Sequence, residues 1–169
     1  MPKKEIFYEK QKVRQWWVWL IVVTINVLFI FGFIQQIILG QPLGDKPIDN
    51  TILILLTILV LFFFLLLSTC SLKTRITKKW IYVKYFPFHW VYKTYKRDNI
   101  KKIEVIKYDP IREFGGWGIR TGFFRKKMVF NISGKKGLLL EFENGQKIII
   151  GTKKAKEISK ILKNHEPKR

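Results

Sequence analysis

The sequence predicts an α+β membrane protein, in which a transmembrane helical hairpin precedes a small domain of antiparallel strands closed by one C-terminal helix. Two observations predict the hairpin: residues 15–44 and residues 50–72 carry no charged side chain, and each stretch exceeds the roughly 20 residues that an α-helix needs to cross hydrocarbon. A third observation predicts the domain. After residue 72 the apolar residues mostly alternate with polar ones, as they do in half-buried strands.

The chain is divided on this basis into five segments. We expect a basic cytoplasmic N-terminus at residues 1–15, a first transmembrane helix at 16–39, an external loop at 40–50, a second transmembrane helix at 51–72 and a cytoplasmic domain at 73–169. From Ile52 to Leu67 only Thr57 is not apolar. A helix that is apolar all round belongs in lipid or in a very large core, and a chain of 169 residues cannot supply such a core for two helices.

The first helix carries two features that bear on its surroundings. Trp16, Trp17 and Trp19 stand at its start, where tryptophan favours the membrane interface. Asn26 falls near the middle of the membrane, where a polar residue is a functional candidate. The other interpretation is a structural hydrogen bond to the second helix or to another copy of the chain. A cleaved signal peptide is not expected, because the apolar stretch is too long and no small-x-small site follows it.

The distribution of lysine and arginine predicts the orientation. Five basic residues precede the first helix and another group follows the second, whereas the link between the helices holds only Lys46. Because positive residues stay on the cytoplasmic side, we expect a multi-pass protein of the cell inner membrane with both termini in the cytoplasm. Asp49, Asn50 or Thr51 is expected to cap the second helix.

Several segments of the domain have the alternation of strands. Ile81, Val83 and Tyr85 alternate with residues of the other face in a run that ends at Pro87. Further runs lie at residues 89–95, 103–108, 119–121 and 128–132. Asn144-Gly145 between two apolar runs indicates a two-residue hairpin, which would place Leu140 opposite Ile149 and Phe142 opposite Lys147. These features predict an antiparallel sheet or barrel.

One amphipathic helix is expected to end the domain. Thr152 is a suitable N-cap, and a shared apolar face is formed by Ala155, Ile158, Ile161 and Leu162.

The order of these segments resembles that of bacterial PH-like (pleckstrin-homology-like) domains. Residues 72–88 resemble their opening strand pair, residues 98–105 their third strand, and the run Gly-Gly-Trp-Gly-Ile-Arg at 115–120 their glycine-rich turn. Residues 137–152 resemble their last hairpin and the Gly-Thr entry to the closing helix. Two N-terminal membrane helices joined to such a domain match a recurring bacterial layout. The resemblance implies two nearly orthogonal antiparallel sheets with a C-terminal helix at one end, and it implies no activity.

The residues give no support to an enzyme, a cofactor or a metal site. The single cysteine, Cys70, fits a buried structural thiol. His89 lies by a strand start and His165 in a basic tail, and a metal site would need more ligands at close spacing. Glu141 and Glu143 flank the predicted turn, where solvated carboxylates are expected. We therefore expect a non-enzymatic protein.

The basic residues point to an anionic partner. Residues 73–169 hold 26 of the 32 Lys and Arg against eight acidic residues. The anionic inner leaflet is the favoured explanation, because basic residues near such a surface each contribute about 1 kcal/mol. The candidate anion- or lipid-binding residues are Lys73, Arg75, Lys78, Lys79, Arg125, Lys126, Lys127, Lys153 and Lys154.

Lys153 and Lys154 suggest a more specific hypothesis. Cations in the first turn of a helix oppose its dipole, so an anion held there would stabilise both lysines and the free amides.

The sequence thus predicts a membrane-anchored protein that presents a basic domain to a protein or to anionic membrane lipids. One alternative is an accessory or structural subunit of a larger membrane complex, in which the helices contact a partner or a second copy. Another is a membrane-bound nucleic-acid binder using basic and aromatic residues such as Phe123, Phe124, Tyr82 and Trp90. Nucleic acid is the less expected partner, because the helices would hold the domain at the membrane.

Overall fold

The chain forms two compact units. The computed structural model describes residues 5–122 and 126–164. The helical unit is Val13–Thr69, and the β unit combines the described residues on both sides of it. The β unit is therefore discontinuous in sequence, with the helical unit inserted after its first strand.

The helical unit contains two long apolar helices. Helix α1 (Trp16–Phe33) continues into a π-helical turn (Ile34–Ile38), and α2 spans Asn50–Thr69. Both are long and apolar enough to cross a membrane. The first agrees with the expected range of 16–39. The second ends three residues before the expected residue 72, because Leu72 already belongs to a strand and is fully buried in the β unit.

Polar side chains close the link between these two helices. Asp49 caps α2, since its Oδ1 accepts hydrogen bonds from the amides of Thr51 at 2.8 Å and Ile52 at 3.3 Å. Gln36 reaches across the link, and its Nε2 donates to the Ile48 carbonyl and to Asn50 Oδ1. Asp49 is therefore the cap among the three candidates that the sequence offered.

The contact between α1 and α2 buries few side chains, and two of them are polar. Asn26 and Thr57 are buried, but each bonds within its own helix. Asn26 Nδ2 donates to the Val22 carbonyl at 2.7 Å, and Thr57 Oγ1 donates to the Leu53 carbonyl at 2.7 Å. Asn26 Oδ1 has no hydrogen-bond partner among the described residues. Among the described residues Asn26 makes no side-chain hydrogen bond to α2, and the bond to a second copy of the chain stays a prediction.

The first sheet of the β unit has four antiparallel strands in sequence order: β1 (Glu5–Lys12), β2 (Ser71–Thr77), β3 (Trp80–Phe86) and β4 (Lys93–Lys96). The predicted alternation of β3 is confirmed, with Ile81, Val83 and Tyr85 buried. The run at 89–95 is a strand only from Lys93. Residues 87–92 form a loop that begins at a cis Phe86–Pro87 bond.

Strand β1 was not predicted, because its inward positions are mostly polar. Phe7, Glu9 and Gln11 are buried, while Tyr8 and the neighbouring lysines face outward. Gln11 Nε2 donates to the Gly151 carbonyl at 2.7 Å. The segment assigned to a basic N-terminus therefore supplies an edge strand of the β unit.

The second sheet has five strands, in the order β5-β8-β9-β7-β6. Their bounds are β5 (Ile100–Lys107), β6 (Gly118–Thr121), β7 (Lys127–Asn131), β8 (Lys136–Phe142) and β9 (Lys147–Gly151), with the short helix α3 (Pro110–Phe114) between β5 and β6. Strands β7 and β9 are parallel. The expectation of purely antiparallel sheets was wrong at this pair, and the unit has two separate sheets rather than a barrel. Alternation reveals strands, but it does not reveal which strands become neighbours.

The β8–β9 hairpin forms at the predicted place with a different register. Leu140 pairs with Ile148 and Glu141 with Lys147, one residue away from the predicted pairing. The Phe142 amide donates to the Gln146 carbonyl, so the loop has three residues instead of two. Of these, Gly145 has φ +78°, as in a type I turn followed by one left-handed residue.

The final helix closes the β unit as expected. Helix α4 (Ala155–Asn164) buries Ala155, Ile158 and Leu162, and Thr152 Oγ1 accepts from the Lys154 amide just before it. A hydrophobic cluster joins Val129, Leu139 and Ile149 of the second sheet to Tyr108 and to Phe114 of α3.

Candidate anion-binding site

A basic cleft lies where α4 meets β5 and β8. It has a volume of about 500 Å³, within the range of about 300–1,000 Å³ typical of small-molecule sites. The lysine cleft, as we call it, is lined by Val105, Ile106, Lys107, Lys136, Ala155, Lys156, Ser159, Lys160 and Lys163.

The fold brings its five lysines together from three elements. Lys107 and Lys136 are a direct cross-strand pair of β5 and β8, so both side chains stand on the same face of the sheet. The other three are spaced three or four residues apart along α4, which places them on one side of the helix. The apolar face of α4 is turned into the core, and this fixes the lysines at the rim of the cleft.

The charged side chains that line the lysine cleft are all positive. Among the described residues no carboxylate lines it, and none of its five lysines belongs to an ion pair with any of them. Its apolar surface comes from Val105, Ile106 and Ala155. The Ser159 hydroxyl donates to the Ala155 carbonyl. Cations around an apolar floor suit an anion that also carries apolar groups.

Eight of the nine basic residues predicted from the sequence are described, and none of these eight lines the cleft. Lys73 and Arg75 lie on the outer face of β2, and Arg75 is paired with Glu5 at 3.2 Å and stacked near Tyr8 and Tyr92. Lys78 and Lys79 form the exposed turn between β2 and β3. Lys126 is exposed, Lys127 is paired with Glu113 at 2.8 Å, and Arg125, like Phe123, Phe124 and His165, lies outside the described residues.

The anion expected at the start of the last helix is provided by the protein itself. Glu9 of β1 is buried, and its Oε2 accepts from Thr152 Oγ1 at 2.6 Å while its Oε1 accepts from the Lys153 amide at 2.9 Å. The Lys154 ammonium pairs with Glu157 at 3.2 Å. The lysines and free amides at this helix start favour negative charge, but the local sequence does not reveal Glu9, which is more than 140 residues away in the chain.

The three tryptophans stand in the first turns of α1, where the sequence placed them. The exposed fraction of Trp16 is 75%. Trp19 Nε1 donates to the Val13 carbonyl at 3.1 Å, and its ring makes an edge contact with Phe64 at 5.9 Å.

The lone thiol is buried, and the described histidine is partly buried. Burial raises the pKa of the Cys70 thiol, which makes it a poor nucleophile at neutral pH. Burial, together with the nearby Lys93, lowers the pKa of His89. Within residues 5–122 and 126–164 no three His, Cys, Asp or Glu side chains are grouped as a metal site.

No family model matches the chain, and no curated protein or solved structure matches it either. The resemblance to PH-like domains therefore stays a prediction. The structure shows two apolar helices, two sheets and a C-terminal helix.

Proposed function

We propose that the protein is membrane-anchored and non-enzymatic, and that its β unit binds anionic phospholipid through the lysine cleft. The observation that carries this proposal is the set of five lysines without ion pairs, among the described residues, around an apolar floor. The phosphate of a phospholipid would contact the lysines at the rim, and its glycerol and acyl groups would contact the apolar floor. A free inorganic anion would use the rim alone.

The connectivity of the β unit supports the proposed topology. Lys12 and Ser71 are paired neighbours in the first sheet, and the chain passes into and out of the helical unit just beyond them. Two helices inserted between neighbouring residues leave and re-enter on the same side of a bilayer. This agrees with the distribution of basic residues, which favours the cytoplasmic side of the inner membrane.

The test measures binding of short-chain phosphatidylglycerol and phosphatidylcholine to the detergent-purified full chain. The double variant Lys156→Glu/Lys160→Glu is compared with Lys96→Glu/Lys101→Glu, which reverses two exposed lysines outside the cleft. We expect the cleft variant to lose at least about tenfold in affinity for phosphatidylglycerol, because each cation near an anionic lipid is worth about 1 kcal/mol and about 1.4 kcal/mol is a factor of ten.

Two results would count against the proposal. The first is equal binding by the cleft variant and the control variant. The second is equal affinity for the two lipids, which would mean that the cleft does not recognise charge. If neither lipid binds but a protein co-purifies with the intact chain and not with the cleft variant, the cleft would instead serve the protein-binding alternative.

A further inference from the structure

The loop between β3 and β4 exposes apolar side chains, unlike most of the β unit. This loop, residues 87–92, leaves Phe88, Trp90 and Val91 exposed by 60%, 75% and 78%. The Trp90 ring contacts the Phe86 ring edge-on, with 5.5 Å between the ring centroids. The Phe88 ring contacts the Tyr85 ring at a tilt, with 5.9 Å between the centroids. The loop thus packs against side chains of β3, while much of its own apolar surface is exposed.

Strand register places this loop beside both chain connections to the helical unit. Phe86, the last residue before the loop, pairs with Ser71, and Ser71 pairs with Lys12. Trp16, which begins α1, is four residues after Lys12, and Thr69, which ends α2, is two residues before Ser71. A link of four residues spans at most about 14 Å. Helices that cross a bilayer would therefore keep this end of the sheet close to the membrane surface.

A row of three lysines runs across the first sheet next to the loop. Lys73 of β2 pairs directly with Lys10 of β1 on one side and with Lys84 of β3 on the other. Directly opposite residues share one face, and like charges placed so destabilise a sheet. Among the described residues none of the three has an ion pair. Lys84 Nζ lies 5.8 Å from the Tyr92 ring at the end of the loop.

We propose that the β3–β4 loop enters the head-group layer of the membrane that holds the helices, while the lysine row contacts anionic lipid phosphates. Trp, Tyr and Phe beside lysine suit this layer, because the rings have apolar bodies and the cations meet phosphate. The inference rests on the proposed membrane anchorage. It adds a third membrane contact, separate from the helices and from the lysine cleft.

The test uses the full chain in phosphatidylcholine vesicles with and without phosphatidylglycerol. An NBD fluorophore is attached at Trp90→Cys, at Phe88→Cys or at the control Glu143→Cys in the exposed β8–β9 turn. The unsubstituted chain serves as the labelling blank, because Cys70 is buried. We expect lipids carrying a head-group quencher to remove most of the emission at residues 88 and 90 and to leave residue 143 unaffected.

A fourth label, at Leu28→Cys in the exposed face of α1, separates this inference from the proposal beneath it. If a deep acyl-chain quencher does not reach residue 28, membrane anchorage itself fails. If residue 28 is quenched while residues 88 and 90 behave like residue 143, only the loop inference is overturned. Blue-shifted emission at residues 88 and 90 without lipid quenching also overturns it, since a protein or a second copy would then cover the loop.

Discussion

The helical unit and the β unit place their apolar side chains in opposite locations. Leu55 of α2 is 61% exposed, whereas Leu138 of β8 is fully buried. In the helical unit the buried positions include the polar Asn26 and Thr57, and among the described residues of the β unit lysine is the most frequent exposed residue. Such an inversion indicates different surroundings, since apolar surface is stable in hydrocarbon and not in water. The β unit can derive stability from its core, while the helical unit needs lipid or another apolar partner around it.

The largest expected effect comes from shortening one leucine in each unit. Leu138→Ala should destabilise the β unit by about 2–5 kcal/mol, because it opens a cavity in a packed core. Leu55→Ala should leave the stability of the β unit unchanged. The measurement is the urea dependence of Cys70 alkylation in the full chain, since this buried thiol becomes reactive only when the β unit opens. Equal losses in the two variants would contradict the contrast between the units.

The buried polar groups of the β unit and of the helical unit also differ in how fully they are hydrogen-bonded. Glu9 is fully engaged by Thr152 and the Lys153 amide, whereas Asn26 has an unused acceptor. Glu9→Ala should cost about 1.5–3 kcal/mol of unfolding free energy, as expected for hydrogen bonds to a charged group, and it should detach β1 from the start of α4.

Two variants serve as controls in that experiment. Glu143→Ala removes an exposed carboxylate and should not alter Cys70 protection. Asn26→Leu removes the unpaired oxygen and should leave the β unit equally stable. If Glu9→Ala behaved like Glu143→Ala, the bonds that join β1 to α4 would contribute nothing to stability.

The smallest effect is a pH dependence confined to the β unit. The pKa of His89 is lowered from 6.5 in the folded state, so the unfolded chain binds the proton more readily. The stability contributed by neutral His89 is therefore complete above about pH 6.5 and is lost as the pH falls below it. His89→Asn should show a weaker loss of stability on acidification, followed by circular dichroism during urea unfolding. An identical pH profile in both proteins would exclude this role for His89.

Some elements were predictable because a local pattern defines them. The two helices follow from charge-free apolar runs, β3 follows from strict alternation, and α4 follows from its apolar face after Thr152. Helix α3 had a signal that was missed: Asp109 caps it by accepting from the Ile111 and Arg112 amides, and Pro110 occupies its first turn. An acidic cap followed by proline is a recognisable helix start.

The candidate site was only partly visible in the sequence. Lys156, Lys160 and Lys163 have helical spacing and could have been grouped as one basic side of α4. Lys107 and Lys136 are 29 positions apart and meet only because β5 pairs with β8 in one particular register. The lysine row of the first sheet could not be predicted for the same reason, since its strands precede and follow the helical unit in sequence.

By itself the sequence determined what depends on composition and on neighbours within a few turns: two segments unsuited to water, a basic excess, and the positions of most strands and of the last helix. Tertiary structure alone decided that residues 5–12 complete the first sheet, that Glu9 fills the start of α4, and that five lysines share a cleft. The physical reason is that hydrophobic periodicity acts locally along the chain, whereas strand pairing and buried charge depend on residues brought together from distant positions.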